Sequence, residues 1–157
     1  MAIKVGDTAK DFSLFTDEMA PFTLSLARVD GPVVLLFFPA AFSGGCTTEL
    51  NEVSNDLAAY GANTTVVGIS TDGPFTLAEF RKVNGLAFNL VSDHEANVCR
   101  LWGTKYDRDF TSMKLDRVSK RSAFVVDGDG TVRYAEVLES AEDMPDLGAI
   151  KEIASSL

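Results

Sequence analysis

The sequence predicts an α/β domain built on a mixed β-sheet. The continuous apolar run at 33–38 and the segment at 64–70, Thr-Thr-Val-Val-Gly-Ile-Ser, have the length of buried strands, and each precedes a segment with helical periodicity. Further along the chain, an Asp-Gly-Asp-Gly sequence at 127–130 separates two strand-like runs and predicts a tight hairpin. We therefore expect parallel strands with helical crossovers in the middle of the sheet and an antiparallel hairpin at one edge.

The same patterns define the other elements. Polar residues 16–21 separate two short N-terminal strands. Apolar side chains at three- and four-residue spacing between positions 50 and 60 predict a helix that Gly61 ends. Pro74 suits the first turn of a second helix, and Asp93 can cap a third. The predicted strands cover residues 12–14, 22–25, 33–38, 64–70, 87–91, 122–126 and 131–137. The predicted helices cover residues 46–60, 74–83, 93–102 and 144–157, with a long loop at 105–120.

Composition and charge narrow the classes of function. The chain has 157 residues, of which 46% are hydrophobic, and this predicts one globular domain over residues 1–157. No segment approaches the roughly 20 apolar residues of a membrane-spanning helix. A net charge of −9 without a Lys/Arg cluster argues against nucleic-acid binding. The first residues show no secretory pattern, so we expect a cytoplasmic protein with neither membrane nor nucleic acid as a partner.

Few side chains in the sequence are suited to catalysis. Cys46, Cys99 and His94 are the only cysteines and histidine, and their spacing does not match a zinc motif. The sequence also lacks a Gly-x-Ser-x-Gly elbow, a Walker-type phosphate loop and a Gly-x-Gly-x-x-Gly nucleotide fingerprint. We therefore predict no metal site and no cofactor.

Cys46 lies where a predicted turn becomes a helix. There the first backbone N–H groups have no helical partner and the helix dipole is positive, and both effects favour the nucleophilic thiolate. Gly44 and Gly45 lack side chains, so backbone N–H groups can approach a bound oxyanion. Ser43 adds a hydroxyl nearby. The plainer interpretation is an inert buried cysteine beside ordinary turn residues.

One spacing in this region is typical of a known family. Pro39, Ser43 and Cys46 match the pattern Pro-x-x-x-Thr/Ser-x-x-Cys, which resembles the active-site signature of the peroxiredoxins. Three further segments resemble the family's N-terminal segment, the strand before its fourth helix and the strand that carries its active-site arginine, namely residues 5–14, 90–93 and 121–127. The resemblance covers nearly the whole chain and implies a thioredoxin-like fold, with a mixed central sheet flanked by helices.

The resemblance implies a role for each matching residue. Cys46 would attack the peroxide as a thiolate and become a sulfenic acid. Ser43 would hydrogen-bond the peroxide, and Pro39 would shield the thiolate from water. Arg121 would stabilise the thiolate and the charge that develops on the peroxide oxygens. Glu49, one helical turn after Cys46, would orient Arg121.

The substrate contacts are predicted on the same turn. Gly45 would offer its backbone N–H, and Phe42 would shape the access of hydrogen peroxide and organic hydroperoxides. Plainer interpretations exist for the charged residues. Arg121 would then be a surface charge at the end of a strand, and Glu49 an exposed carboxylate favoured by the helix dipole.

The sulfenic acid has to be reduced before the next cycle. Many relatives carry a resolving cysteine five residues after the first, where this chain has Asn51, and the C-terminal tail has no cysteine. Cys99 lies in a predicted helix and is interpreted as a core residue, which favours a one-cysteine mechanism with an external thiol. A disulfide between Cys46 and Cys99 stays open as the alternative. The runs at 37–43 and 134–136 resemble the alkyl hydroperoxide reductase E type.

The resemblance also implies partners. A low-molecular-weight thiol, a glutaredoxin-like protein or thioredoxin would supply the electrons, and relatives form homodimers or larger rings. Two other functions are alternatives to this one. A thiol–disulfide oxidoreductase is disfavoured because residues 46–49 lack the second sulfur of a Cys-x-x-Cys motif. A non-catalytic thioredoxin-like binding module or holdase would keep Cys46 only for packing.

Overall fold

The computed structural model describes residues 3–157 and places seven strands, five α-helices and two 3₁₀ turns there. The strands are β1 Ser13–Thr16, β2 Pro21–Thr23, β3 Val33–Phe37, β4 Thr65–Ser70, β5 Leu90–Ser92, β6 Ser122–Val126 and β7 Val132–Val137. The helices are α1 Leu24–Ala27, α2 Gly44–Asn55, α3 Pro74–Asn84, α4 Asn97–Leu101 and α5 Leu147–Ser156. The 3₁₀ turns are Arg28–Asp30 and Leu57–Tyr60. Within residues 3–157, no helix is long and apolar enough to cross a membrane.

The seven strands form one mixed sheet in the order β2-β1-β5-β4-β3-β6-β7. Strands β3, β4 and β5 are parallel, and the connections between them contain α2 and α3. The predicted antiparallel hairpin is observed at one edge as β6 and β7, and β6 pairs antiparallel with β3. The N-terminal hairpin joins the other edge through antiparallel pairing of β1 with β5. Both edges of the sheet are therefore antiparallel, whereas the sequence predicted an antiparallel hairpin at only one edge.

The sheet separates two hydrophobic cores. One core lies on the side of α1 and α4 and surrounds Trp102, whose ring is 5.0 Å from that of Phe124. The other core is formed with α2, α3 and α5. Complete burial of each large apolar side chain contributes roughly 1.5–3 kcal/mol, so β3 anchors both cores. Along β3, the first core receives Val33, Leu35 and Phe37, and the second receives Val34 and Leu36.

The second predicted strand and the first predicted helix differ from the structure. Residues 24–25 begin α1 instead of continuing β2, because the Asp11 carboxylate accepts hydrogen bonds from the backbone N–H (2.8 Å) and the hydroxyl (2.7 Å) of Ser25. Helix α2 begins at Gly44, two residues early. It ends at Asn55 because Asp56 leaves helical geometry (φ −127°, ψ 29°), and a 3₁₀ turn covers the rest of the predicted helix.

The helix predicted at 93–102 is observed only over Asn97–Leu101, because the residues before it form a turn. Asp93 nevertheless caps it, since its carboxylate accepts hydrogen bonds from the backbone N–H groups of Val98 (3.0 Å) and Cys99 (2.7 Å).

Two other starts lie later in the chain than predicted. The strand predicted from residue 87 begins at Leu90, because the Ala87 N–H bonds the Ser54 hydroxyl (2.8 Å) instead of a strand. The last helix begins at Leu147, where Asp146 caps it by accepting the Ala149 N–H (3.0 Å). The predicted loop at 105–120 contains only isolated bridges. The other boundaries agree with the prediction within one or two residues.

We expect Gly68→Ala to destabilise the protein by roughly 1–3 kcal/mol, because a Cβ there would overpack a filled core. The added atom would lie 2.8 Å from Leu90 Cδ2 and 3.2 Å from Phe38 Cε1. Urea unfolding measures the loss, and Gly128→Ala is the matched control because its new Cβ meets only one atom, at 3.6 Å. Equal stabilities of the two variants would show that β4 and its neighbours can shift to accommodate the added Cβ at position 68.

Candidate active site

The pairing of β3 with β6 brings Arg121 next to Cys46. The two strands are antiparallel, with Phe37 at the end of β3 opposite Ser122 at the start of β6. Arg121 directly precedes β6, and the chain leaving β3 turns within a few residues into α2, which carries Cys46. Two segments that are 75 residues apart in sequence thus meet at one end of the sheet.

Cys46 is the third residue of α2. The first intrahelical hydrogen bond runs from the Thr47 N–H to the Ser43 carbonyl (3.0 Å). The N–H groups of Gly44, Gly45 and Cys46 precede this bond and have no partner within the helix. These donors and the positive end of the helix dipole favour an anion at the sulfur.

The Arg121 guanidinium contacts both acidic groups of the site. Nη1 donates to Cys46 Sγ at 3.4 Å and to Glu49 Oε1 at 2.8 Å, and Nη2 donates to the Ala141 carbonyl at 2.9 Å. Cys46 is 0% exposed and Arg121 is 2% exposed. Because an isolated charge is costly to bury, a thiolate here depends on the guanidinium beside it. Burial alone would lower the pKa of Arg121, but the charges of Cys46 and Glu49 raise it, so the guanidinium stays protonated.

Glu49 is buried with only part of its charge compensated. Burial raises the pKa of its carboxyl from 4.5 to about 7, although the hydrogen bond and charge of Arg121 oppose that shift. Within residues 3–157, no protein group hydrogen-bonds Oε2, so the second carboxylate oxygen lacks a donor. One guanidinium therefore serves two acidic groups, Cys46 and Glu49.

Gly45 provides the space that Arg121 occupies. A Cβ on Gly45 would lie 2.9 Å from Arg121 Nη2, whereas a Cβ on Gly44 would meet nothing within 4 Å. The only role predicted for Gly45 from the sequence was hydrogen-bond donation by its backbone N–H. The structure adds a steric reason for glycine at this position.

The other predicted site residues lie on the turn before α2. Pro39 is buried and Ser43 is half-buried. The Ser43 hydroxyl donates to the Ala40 carbonyl at 2.8 Å, which leaves its oxygen lone pairs as acceptors. Phe42 has a left-handed backbone (φ 70°), is 52% exposed, and packs its ring edge-on at 5.1 Å from that of Phe80. The turn therefore presents an aromatic side chain at the surface beside the site.

The structure keeps Cys99 away from the site. Cys99 belongs to the core around Trp102 and Cys46 to the core on the other side of the sheet, so a layer of backbone separates the two sulfurs. Both thiols are free. Burial raises the pKa of the Cys99 thiol to about 12, and the neighbouring Asp93 carboxylate adds to the shift. Asn51 donates to the Thr47 carbonyl (2.8 Å) and to Asn84 Oδ1 (3.0 Å), which ties α2 to α3.

Three groups near the site were not predicted from the sequence. The Ala141 carbonyl is a backbone acceptor, which carries no signal in residue type. Tyr106 is buried close enough for Arg121 and Cys46 to influence its hydroxyl, although burial is the main cause of its raised pKa. Asp72 accepts the Ala41 N–H at 2.8 Å and so contacts the turn before α2. In the sequence, Tyr106 falls in a predicted loop, and Asp72 falls between a predicted strand and a predicted helix.

Comparison with known proteins agrees with this architecture. Residues 5–135 match the AhpC/TSA family. The chain is 36% identical over 156 residues to a putative peroxiredoxin of Mycobacterium tuberculosis, covering 98% of this chain and 96% of the relative. It is 32% identical over 136 residues to peroxiredoxin Bcp of Escherichia coli strain K12, covering 84% of both. The crystal structure of peroxidoxin BcpB from Mycobacterium tuberculosis matches with a TM-score of 0.77 at 34% identity, covering 97% of this chain and 94% of that one.

The chain belongs to the peroxiredoxin family and is a thiol peroxidase. The predicted thioredoxin-like fold is confirmed by the structural match. Assignment to the alkyl hydroperoxide reductase E type stays a prediction, because two of these relatives carry Bcp names.

We expect Gly45→Ala to slow the reaction with hydrogen peroxide by about 100-fold, the effect of losing one aligned donor to the reacting centre. The new Cβ would displace Arg121 Nη2 and with it the contact to Cys46. Gly44→Ala is the matched control and should stay within about twofold of wild type, because its Cβ has free space. A competition assay for peroxide gives both rate constants. A similar rate constant in the two variants would exclude the steric role of Gly45.

We expect Glu49→Gln to flatten the pH dependence of stability between pH 4.5 and 7. A carboxyl whose pKa is raised in the folded state holds its proton there after the unfolded chain has lost it. Its contribution is therefore complete below about pH 4.5 and lost as the pH rises to about 7. Relative to Glu49→Gln, the wild type should lose roughly 2–3 kcal/mol across this range.

Urea unfolding of reduced protein at several pH values measures this difference. Glu52→Gln, an exposed position on the same helix, is the control and should follow the wild type. Parallel stability curves for wild type and Glu49→Gln would show that the Glu49 carboxyl titrates as it does in the unfolded chain.

Proposed function

We propose that the protein reduces hydrogen peroxide and organic hydroperoxides by a one-cysteine mechanism, with Cys46 as the nucleophile. The observation that carries the proposal is the contact of Arg121 Nη1 with Cys46 Sγ at the start of α2. A buried guanidinium and the free N–H groups of a helix start are together suited to hold a thiolate without water.

The first step oxidises Cys46 and reduces the peroxide. The thiolate attacks the terminal oxygen of the hydroperoxide, so that an S–O bond forms as the O–O bond breaks. The transferred oxygen keeps its proton, so Cys46 becomes a sulfenic acid, and the departing alkoxide or hydroxide takes a proton from solvent and leaves as an alcohol or water. The negative charge moves from sulfur to oxygen within reach of Arg121, which remains a cation throughout.

The surrounding residues have separate roles in this proposal. Ser43, whose own proton is given to the Ala40 carbonyl, accepts the hydrogen bond of the peroxide O–H. The N–H of Gly45 faces the developing oxyanion. Pro39 keeps water from the sulfur, and Phe42 offers an apolar surface to the organic part of a hydroperoxide. Glu49 holds Arg121 in place through the 2.8 Å bond to Nη1.

The position of Cys99 supports recycling by an external thiol. An internal disulfide needs the two Cα atoms within about 7 Å, and here the sheet lies between the two side chains. A resolving thiol also attacks as a thiolate, which the raised pKa of Cys99 disfavours. An external thiolate therefore displaces hydroxide from the sulfenic sulfur, and hydroxide takes a proton to become water. A second thiol then releases Cys46 and leaves with the first as a disulfide.

The reductant is a low-molecular-weight thiol, a glutaredoxin-like protein or thioredoxin. Recycling by thiols and two unpaired cysteines suit a reducing compartment, and we propose the cytoplasm. A homodimer or larger ring stays a prediction of the family resemblance.

The first test is the intact mass after one equivalent of hydrogen peroxide in the presence of dimedone, which traps sulfenic acids. We expect one dimedone adduct per chain in wild type and Cys99→Ser, and none in Cys46→Ser. Loss of two hydrogens in wild type, with trapping only in Cys99→Ser, would make Cys99 the resolving residue. An unmodified wild type would exclude Cys46 as a peroxide-reactive thiol.

A further inference from the structure

The peptide unit between Ala40 and Ala41 is held at both of its polar ends. Its carbonyl accepts the Ser43 hydroxyl at 2.8 Å and the Ser43 N–H at 3.4 Å. Its N–H donates to Asp72 Oδ2 at 2.8 Å. One rigid peptide plane therefore connects the Asp72 carboxylate to the Ser43 hydroxyl, which accepts from the peroxide in the proposed mechanism.

Asp72 is itself fixed by two neighbouring strands. Its Oδ2 also accepts the Ser70 hydroxyl (2.6 Å), and its N–H donates to Ser70 Oγ (3.2 Å) at the end of β4. Its carbonyl accepts the Ser92 hydroxyl (2.7 Å) at the end of β5. The carboxylate is half-buried and forms no salt bridge with any residue of the range 3–157. Hydrogen-bond donors, and Ala41 among them, are thus its main stabilising contacts.

We propose that Asp72 is a positioning residue for peroxide reduction, acting on Ser43 through the Ala40–Ala41 peptide. This inference rests on the proposed role of Ser43. A carboxylate on the N–H end orients the peptide and, because hydrogen bonds in a chain polarise one another, strengthens its carbonyl as an acceptor. The carbonyl then holds the Ser43 proton, and the Ser43 lone pairs are directed away from the peptide to accept from the peroxide.

The backbone of the turn explains why such an anchor is needed. Phe42, the residue after Ala41, has φ 70°, a conformation that costs a non-glycine residue of this size energy and persists only when its surroundings fix it. The Asp72 bond to Ala41 lies directly before this residue, and the Ser43 bonds lie directly after it. Without Asp72, the turn has less to hold it in the conformation that orients Ser43.

The test is a double-mutant cycle between Asp72→Ala and Ser43→Ala, with the rate constant for hydrogen peroxide as one readout. The second readout is the ultraviolet absorbance of the thiolate, which depends on Arg121 and α2 but needs no acceptor at Ser43. Asp72→Asn keeps an oxygen that can accept from Ala41 without the charge, and it serves if Asp72→Ala does not fold. Asp11→Asn is the matched control, because Asp11 also accepts one backbone N–H and one serine hydroxyl, but from Ser25 in α1.

Asp72→Ala is expected to lower the rate constant by about tenfold, with Asp72→Asn between it and wild type. The thiolate absorbance should not change. In the Ser43→Ala background, Asp72→Ala should cost less than about twofold, because the group it positions is already gone. Asp11→Asn should react as wild type does.

Three results would overturn the inference. The first is an equal fall of the rate constant in both backgrounds, and the second is a thiolate absorbance that falls together with the rate constant. The third is an unchanged rate constant in Asp72→Ala, or in Asp72→Asn if Asp72→Ala does not fold. Each leaves Cys46-dependent peroxide consumption intact. Failure of the proposed function is distinct, since wild type would then consume peroxide no faster than Cys46→Ser.

Discussion

The shared hydrogen bonding of Arg121 Nη1, to Cys46 Sγ on one side and Glu49 Oε1 on the other, is the constraint on which the site depends. A thiolate, a carboxylate and a guanidinium would each be costly to bury alone. Together they have one positive charge for two acidic groups, and burial raises the pKa of the Glu49 carboxyl. The Ala141 carbonyl takes the second guanidinium nitrogen and fixes the direction of the side chain.

The fold supplies this constraint through strand order. Because β6 runs antiparallel to β3, the residue before β6 lies at the end where β3 leaves the sheet and the turn to α2 begins. Helical spacing then places Glu49 almost one turn from Cys46, on the face that meets Arg121. The close approach also requires a position without a side chain, and Gly45 provides it. Topology, helix period and one missing Cβ thus determine the geometry of the sulfur's surroundings.

Much of this was accessible from the sequence, because a strand such as β3 is a continuous apolar run, which is typical of strands buried on both faces. The cysteine turn was predicted from local spacing, and the pairing with Arg121 from the resemblance. What the sequence missed depends on contacts between distant segments. Asp11 turns the chain after β2, and Asp56 interrupts the long helix by a local change of backbone angle. A backbone acceptor such as Ala141 has no counterpart in residue type, so no pattern could have revealed it.

The sheet between the two cores has a consequence for the lifetime of the oxidised enzyme. Among residues 3–157, the side of the sheet that holds Cys46 contains no other sulfhydryl, so in the proposed one-cysteine mechanism no thiol of the same core captures its sulfenic acid. Two molecules arriving from solution compete for it instead: a reducing thiol, which restores the enzyme, and a second peroxide, which carries the sulfur to the irreversible sulfinic state. The fraction of enzyme that stays active during oxidative stress then depends on the concentration of reducing thiol relative to that of peroxide. Under the proposed mechanism, the supply of reductant in the surroundings decides which of the two reactions prevails.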